Sequence, residues 1–441
     1  MEKDKKSIRW ETMCFIMLVG GILLRLIYAH EVPYNISTHD LGHVSDWNEP
    51  TYGHLGYIQY IYQYHRLPDG YIKQTYHPPL FHVIGAFVMG IFCDAKGNPE
   101  LSFEMLQYLN TLFSGIASIY IYRCAKELGC SEKAKVVITA FAAFSPTLMW
   151  LGTQLNNDCL MTMFSIMAIF YTIKWDRTEK LSDIVKIALT VAFSMLAKTS
   201  GGLIAVGIGL VFLLKLIKNI RTPGKVIRQL FIFAVICIPL GLCWLIRCNI
   251  LYDMPFNYVY RMSTESCQYI SDVSVFHRLG LPSYSQLTYV SIDLHNPEFH
   301  SNIWAQTVNT LLYDEGLLKH TAMVWVYAEK FFDVLEAITL VVLAGTVIGL
   351  CAMKKVELSH KLLLAGVTIV ITISYVLFAF KYPFVCTMNG RYLFTGVAAS
   401  VLAYGIVRDR VRNTKIKRCL FSILDGFIIM VNFSVALMYI I

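Results

Sequence analysis

Charged residues are scarce in this sequence of 441 residues, since Asp, Glu, Lys and Arg together make up 15% of it. Soluble domains usually carry about 25% charge. Hydrophobic residues make up 56%, and the mean hydropathy is +0.53. Several apolar runs approach the ~20 residues that cross a hydrocarbon core of ~30 Å. The composition therefore excludes an ordinary soluble domain and predicts an all-α polytopic membrane protein.

Closely spaced cysteine pairs are also missing, because the twelve cysteines stand singly and no C-x-x-C occurs. Many of them, such as Cys14, Cys159 and Cys237, fall inside apolar runs. Buried thiols of this kind pack as small hydrophobic side chains. We therefore interpret the cysteines as core residues rather than as a disulfide framework or a thiolate metal site.

Basic residues cluster between the apolar runs, and six clusters hold 26 of the 38 Lys and Arg residues. Cytoplasmic loops carry such an excess, so the net charge of +8 indicates orientation and not nucleic-acid binding. All six clusters share one side only if the short run 79–93, which contains His82, does not cross. We therefore predict about eleven spans, with 79–93 interfacial or re-entrant. A short span at 79–93 is the alternative.

Two long segments, 30–78 and 248–325, then lie on the outer face. Residues 52–64 of the first are rich in Tyr and Ile, which predicts a juxtamembrane helix at headgroup level. The second is polar and aromatic and is interrupted by Pro and Gly, which predicts a partly ordered cap.

Acidic residues on this outer face are the first candidates for chemistry. Asp40 follows His39 soon after the first span, and a carboxylate there can act as general base towards an acceptor hydroxyl. Asp46 and Glu49 compete for the same role, and a solvated loop acid is the alternative. Asn157 and Asp158 stand where another run leaves the outer face, where they also suit a helix N-cap.

Three basic residues, Lys198, Arg247 and Arg391, stand at outer ends of separate apolar runs. Snorkelling to the headgroups would account for each one alone. Outer loops are usually poor in such residues, so we interpret them as converging cations that hold a lipid phosphate and stabilise its developing charge. His77 precedes two prolines that fix a rigid, non-helical segment. It could contact phosphate, acceptor or metal, or be structural.

Together these motifs resemble the protein O-mannosyltransferase-like family (glycosyltransferase family 39) of the GT-C superfamily, which is also similar to the bacterial aminoarabinose transferases. The match extends from the first span to about residue 400. The residues that carry it are Arg25, His39-Asp40, Gly53 to Ile58, Leu67-Pro68, Tyr76 to Leu80, Asn157-Asp158, Ala197-Lys198, Trp244 to Asn249, Tyr252, Pro255 and Gly390 to Leu393.

The resemblance implies a GT-C type bundle of about eleven transmembrane helices, with the catalytic module in residues 1–400 and a basic loop and the last of these helices in 401–441. It implies inverting transfer from a polyprenyl-phosphate sugar to a lipid or glycan acceptor. Asp40 would deprotonate the acceptor, and Asp158 would take the role of the second acid. The implied donor-phosphate contacts are Lys198, Arg247, Arg391 and Tyr392, and the implied substrate contacts are His39, Glu49, His54 and His77.

The resemblance also bears on cofactors and location. The sequence indicates no required cofactor. Whether a divalent metal binds stays open, because His39-Asp40 stands where many family members have an Asp-Glu pair. Membrane lipids and the lipid-linked donor are the expected partners, without nucleic acid. We expect an integral protein of a bacterial cytoplasmic membrane, with its active site facing outward.

Two other functions stay open at this stage. A transporter or flippase of lipid-linked saccharides would carry charges inside its spans and paired broken helices, and Arg25 is the one centrally placed charge that we identify. A non-catalytic scaffold would leave the outer acids and cations dispersed.

Overall fold

The computed structural model of the protein describes residues 2–34, 53–69, 74–96, 99–289, 300–314, 323–411 and 414–440. Within these ranges the only strand-like feature is an isolated bridge between Tyr269 and Phe384. The all-α prediction is therefore confirmed. The α-helices are Glu2–Glu31, Gly53–Tyr64, Leu80–Lys96, Pro99–Glu127, Glu132–Phe144, Pro146–Thr153, Asp158–Thr178, Leu181–Ala197, Ile204–Lys218, Gly224–Tyr252, Val275–Leu279, Tyr284–Leu287, Ile303–Tyr313, Met323–Ala352, Leu358–Lys381, Phe394–Val411 and Lys415–Met438.

Eight helical segments among the described residues are long and apolar enough to cross a membrane. They are Ile8–Glu31, Glu132–Thr153, Thr199–Lys218, Gly224–Tyr252, Trp325–Ala352, Leu358–Lys381, Val385–Val411 and Lys415–Met438. The other three predicted spans fall in the helices Pro99–Glu127, Asp158–Thr178 and Leu181–Ala197, whose crossing stays a prediction. Residues 80–96 form a helix of 17 residues, at the lower limit for a span.

One predicted apolar run, at residues 136–151, is divided by the structure. The helix Glu132–Phe144 ends before Ser145, and Pro146 starts the next helix, Pro146–Thr153. Proline has no N–H to donate and is tolerated in the first turn of a helix, so its position sets the break.

The chain packs into two compact units, one made of Met1–Leu24, Leu128–Trp150 and Arg261–Ile441, the other of Arg25–Glu127 and Leu151–Tyr260. In the first unit, the buried Arg408 donates to both carboxylate oxygens of Asp425, with N···O distances of 2.6 to 3.0 Å. The neighbouring Asp409 accepts hydrogen bonds from the amide and hydroxyl of Ser131. These charge-assisted bonds fix the end of Phe394–Val411.

The second unit is built around a helical hairpin. Helices Asp158–Thr178 and Leu181–Ala197 are joined by two residues, of which Glu179 adopts a left-handed backbone with φ 47° and donates its N–H to the Trp175 carbonyl. Lys225 and Lys215 reach the Glu179 carboxylate at 2.9 and 3.0 Å. These hydrogen bonds lower the pKa of Glu179. Because the turn is short, the other ends of the two helices lie side by side.

Candidate functional site

The open end of the hairpin carries a buried ion pair between Asp158 and Lys198. The Lys198 Nζ lies 2.6 Å from the Asp158 Oδ1, and the side chains are 15% and 4% exposed, respectively. Asp158 starts the first helix of the hairpin, and Lys198 follows the last residue of the second. The structure therefore joins two predicted site residues, a carboxylate and a cation, in one contact.

Asparagines hold the backbone around this ion pair. The Asn157 side chain donates to the Ala197 carbonyl at 2.7 Å and makes no capping bond to the helix that follows. Asn156 accepts from the Asp158 amide at 3.0 Å. The buried Asn110 donates to the carbonyl of Gln154 at 2.5 Å. Asn157 thus ties the two ends of the hairpin together instead of acting as the side-chain N-cap that its position suggested.

Arg247 is held at the end of the helix Gly224–Tyr252. Its guanidinium donates to the Pro68 carbonyl at 2.8 Å and to the Tyr252 hydroxyl at 3.4 Å, and it lies 4.7 Å from the centre of the Trp244 ring. Tyr252 donates to the same Pro68 carbonyl at 2.7 Å. The guanidinium is therefore fixed in place by a carbonyl and an aromatic face.

Three histidines form a cluster in the second unit. His54 and His82 share a hydrogen bond of 2.9 Å between Nδ1 and Nε2, and the His77 ring stacks on His54 at 5.2 Å. His82, which is fully buried and lies 4.1 Å from the Tyr57 ring, was not among the predicted site residues. Because His54 and His82 direct these two nitrogens at each other, neither nitrogen serves a metal in this arrangement.

The helix Gly53–Tyr64 carries His54, and its position at headgroup level stays a prediction. Its first half is buried within the protein, and Tyr57 and Ile58 have no exposed surface. Tyr57 packs with Trp244, Cys248 and Met254 in one hydrophobic cluster. The predicted helix is confirmed, and its burial makes it part of the core of this unit.

Arg391 and Tyr392 belong to the first unit. The Arg391 guanidinium donates to the Tyr392 hydroxyl at 3.1 Å, and Asn389 accepts from the Arg391 amide at 2.9 Å. The amide of Gly390 donates to the Thr310 hydroxyl at 2.7 Å. The chain before Arg391 is therefore fixed by side chains of its own unit. Asp40, His39 and Glu49 lie outside the described residues, so their predicted roles stay predictions.

A second set of ionisable residues was missed at the level of sequence. Glu329, Asp333 and Glu336 are 6%, 0% and 7% exposed, and they share one face of the candidate span Trp325–Ala352. Both Asp333 carboxylate oxygens and the Glu329 Oε1 accept no hydrogen bond within the described part of the chain. The sequence indicated Arg25 as the one centrally placed charge. The structure adds these three acids as further buried ionisable residues in a candidate span. We call these three residues the acidic stripe.

The helices and their apolar spans define an integral, polytopic all-α membrane protein, and its fold is similar to that of solved membrane glycosyltransferases. The apo oligosaccharyltransferase of Archaeoglobus fulgidus superposes with a TM-score of 0.52 at 12% identity, covering 97% of this chain and 56% of that one. ArnT of Cupriavidus metallidurans, solved with undecaprenyl phosphate, has a TM-score of 0.41 at 10% identity, covering 89% and 77%.

Sequence comparison shows similarity to mannosyltransferases over part of the chain. A family model described as dolichyl-phosphate-mannose-protein mannosyltransferase matches residues 76–244. GPI mannosyltransferase 3 of Debaryomyces hansenii is 21% identical over 190 residues, which is 42% of this chain and 33% of that protein. The chain thus spans about a third of the length of this curated relative. The predicted resemblance to GT-C glycosyltransferases is confirmed.

Proposed function

We propose that the protein is a membrane glycosyltransferase that moves a sugar from a polyprenyl-phosphate donor to a lipid or glycan acceptor. The observation that carries the proposal is the match of the mannosyltransferase family model to residues 76–244. That segment contains His77, Asp158 and Lys198, and in the second unit Asp158 and Lys198 are in direct contact at 2.6 Å. The family match thus covers residues that the motifs singled out.

The proposed reaction is a single displacement with inversion. The acceptor oxygen forms a bond to the anomeric carbon, and the bond between that carbon and the phosphate oxygen breaks. The polyprenyl phosphate leaves with the electron pair, and the acceptor proton passes to the Asp40 carboxylate. Lys198 and Arg247 are the cations we assign to the leaving phosphate. Arg391 and Tyr392 stay predicted donor contacts.

The test uses purified protein in nanodiscs with radiolabelled polyprenyl-phosphate mannose and a lipid and glycan extract as acceptor. We expect label to enter the acceptor fraction with the wild type and not with Asp40→Asn. Asp46→Asn, an acid in the same loop, is the matched control and should retain transfer. Full activity of Asp40→Asn would contradict the role of Asp40 as the base. The absence of transfer by the wild type from every polyprenyl-phosphate sugar tried would contradict the transferase function.

A second candidate is a transporter of lipid-linked saccharides, and the acidic stripe is the observation that favours it. Ionisable side chains inside a span are costly and commonly mark transport pathways. A fluorescent polyprenyl-linked saccharide in proteoliposomes would test this function. Leaflet exchange that depends on Asp333 and proceeds without sugar transfer would support the transporter and oppose the transferase.

A further inference from the structure

A cavity of about 470 Å³ lies beyond the end of the helix Gly224–Tyr252, lined by Tyr252, Asp253, Met254, Pro255 and Tyr258. We propose that this cavity binds the pyranose ring of a sugar. The proposal rests on the proposed function and names the chemistry of one of its subsites. The reasons are the fixed aromatic walls, an exposed carboxylate, and the packing of the walls near two predicted site residues.

Both tyrosine walls are held in place by neighbours. The Tyr252 hydroxyl donates to the Pro68 carbonyl at 2.7 Å. The Tyr258 ring stands edge-on to Tyr76, with ring centres 5.6 Å apart. Met254 closes the inner side, since it is 7% exposed and packs in the cluster of Tyr57 and Trp244. Fixed aromatic rings provide flat apolar surface at little cost in conformational entropy, which suits the C–H face of a pyranose.

Asp253 supplies the polar group of the cavity. It ends the helix in a left-handed conformation with φ 57°, and its backbone N–H donates to the Asn249 carbonyl at 3.1 Å. Its side chain is exposed, and no hydrogen bond or ion pair of this carboxylate occurs within the described part of the chain. An ionised carboxylate is an acceptor only, and sugar hydroxyls are donors. A few well-placed polar groups among apolar walls are typical of small-molecule sites.

The walls of the cavity are connected to two of the predicted site residues. Tyr76, which supports Tyr258, has its ring centre 4.1 Å from that of His77. The Arg247 guanidinium lies 5.7 Å from the centre of the Tyr252 ring. A ring bound here therefore contacts tyrosines that pack near a predicted phosphate contact and a predicted substrate contact. The pyranose can belong to the donor or to a glycan acceptor, and the experiment distinguishes these sources.

The test measures binding of methyl α-D-mannopyranoside by saturation-transfer NMR, with the full chain in nanodiscs free of glycoside detergent. We expect saturation of the wild type, an affinity about 3- to 10-fold lower for Tyr258→Ala, and about 5-fold lower for Asp253→Asn. Tyr258→Phe keeps the ring and should bind more tightly than Tyr258→Ala. Asp272→Asn, in the same predicted outer segment but not among the residues that line the cavity, is the matched control and should bind normally.

Thermal unfolding of each variant identifies any that fail to fold. We expect Asp253→Asn to fold, because Asn tolerates the left-handed backbone at this position. No binding to the wild type, or equal binding to folded Asp253→Asn and wild type, would overturn the proposal. Added polyprenyl-phosphate mannose displaces the probe if the donor sugar uses the cavity and leaves it bound if the acceptor does. Sugar transfer without mannoside binding would reject the cavity alone, whereas binding without transfer would reject the proposed function alone.

Discussion

Replacing Lys198 by Met, Asp158 by Asn, and both together separates the structural from the functional part of their ion pair. At 2.6 Å the two charges are close, and with an effective dielectric constant of ~20 their attraction is about 6 kcal/mol. Desolvation of two nearly buried ions offsets much of this attraction. Removing one partner alone leaves a buried charge without its counterion, so we expect each single variant to lose about 3–5 kcal/mol of folding stability.

The double variant has no such buried charge, so we expect it to recover stability to within about 1–2 kcal/mol of the wild type. Thermal unfolding in nanodiscs measures this double-mutant cycle. Sugar transfer should behave differently, because a cation that stabilises the leaving phosphate contributes about 100- to 1,000-fold in rate. Lys198→Met should lose that factor, and adding Asp158→Asn should not restore it. A double variant that regains both stability and full transfer would refute the role of Lys198 in the reaction.

Three further changes test other parts of the structure. Gly390→Ala would place a Cβ 2.6 Å from the Leu311 Cγ and 2.9 Å from the Thr307 carbonyl oxygen, so chemical or thermal unfolding should show a loss of about 1–3 kcal/mol. Glu179→Gln removes a carboxylate whose pKa is lowered by Lys225 and Lys215. Its stabilisation is present above the ordinary Glu pKa of ~4.3 and is lost as pH falls through the folded value. The wild type should therefore lose thermal stability more steeply than the variant below about pH 4.3. Asp333→Asn removes any need to bury a charge at membrane depth, so its unfolding temperature should equal or exceed that of the wild type.

Each of these has a control or an opposing result. Gly426→Ala, where an added Cβ meets nothing within 4 Å, should be neutral, and equal losses at both glycines would argue against the close packing at Gly390. Parallel pH profiles for Glu179→Gln and the wild type would show that the lysine contacts add nothing. A clear fall in the unfolding temperature of Asp333→Asn would mean that its carboxylate has a stabilising partner.

Some of the candidate site follows from the sequence by helix geometry. The two-residue turn at Glu179-Lys180 joins helices of 21 and 17 residues, so the start of the first and the end of the second must meet. Asp158 and Lys198 occupy those two positions, and their contact could be derived from the spacing of the apolar runs. The neighbouring contact of Arg247 with Pro68 could not, because 179 residues separate the two and no periodicity connects them.

The acidic stripe was missed for a physical reason. Glu329 and Asp333 interrupt the hydropathy, so the apolar run predicted from the sequence begins only at Val334 and contains Glu336 alone of the three, whereas the helix begins at Met323. The three acids are spaced by four and then by three residues, and this spacing in the sequence already places them on one face of a helix. What the sequence did not indicate is that this face would be buried, since burial depends on which elements pack against it.

The arrangement around Arg247 has a consequence for evolution. One guanidinium donates to the Pro68 carbonyl while it lies over the Trp244 ring, and the compact ammonium of lysine does not combine planar donation with stacking. An exchange of Arg for Lys at position 247 is therefore not conservative. Among related chains we expect positions 244 and 247 to vary together, so that lineages without the arginine have also lost the tryptophan.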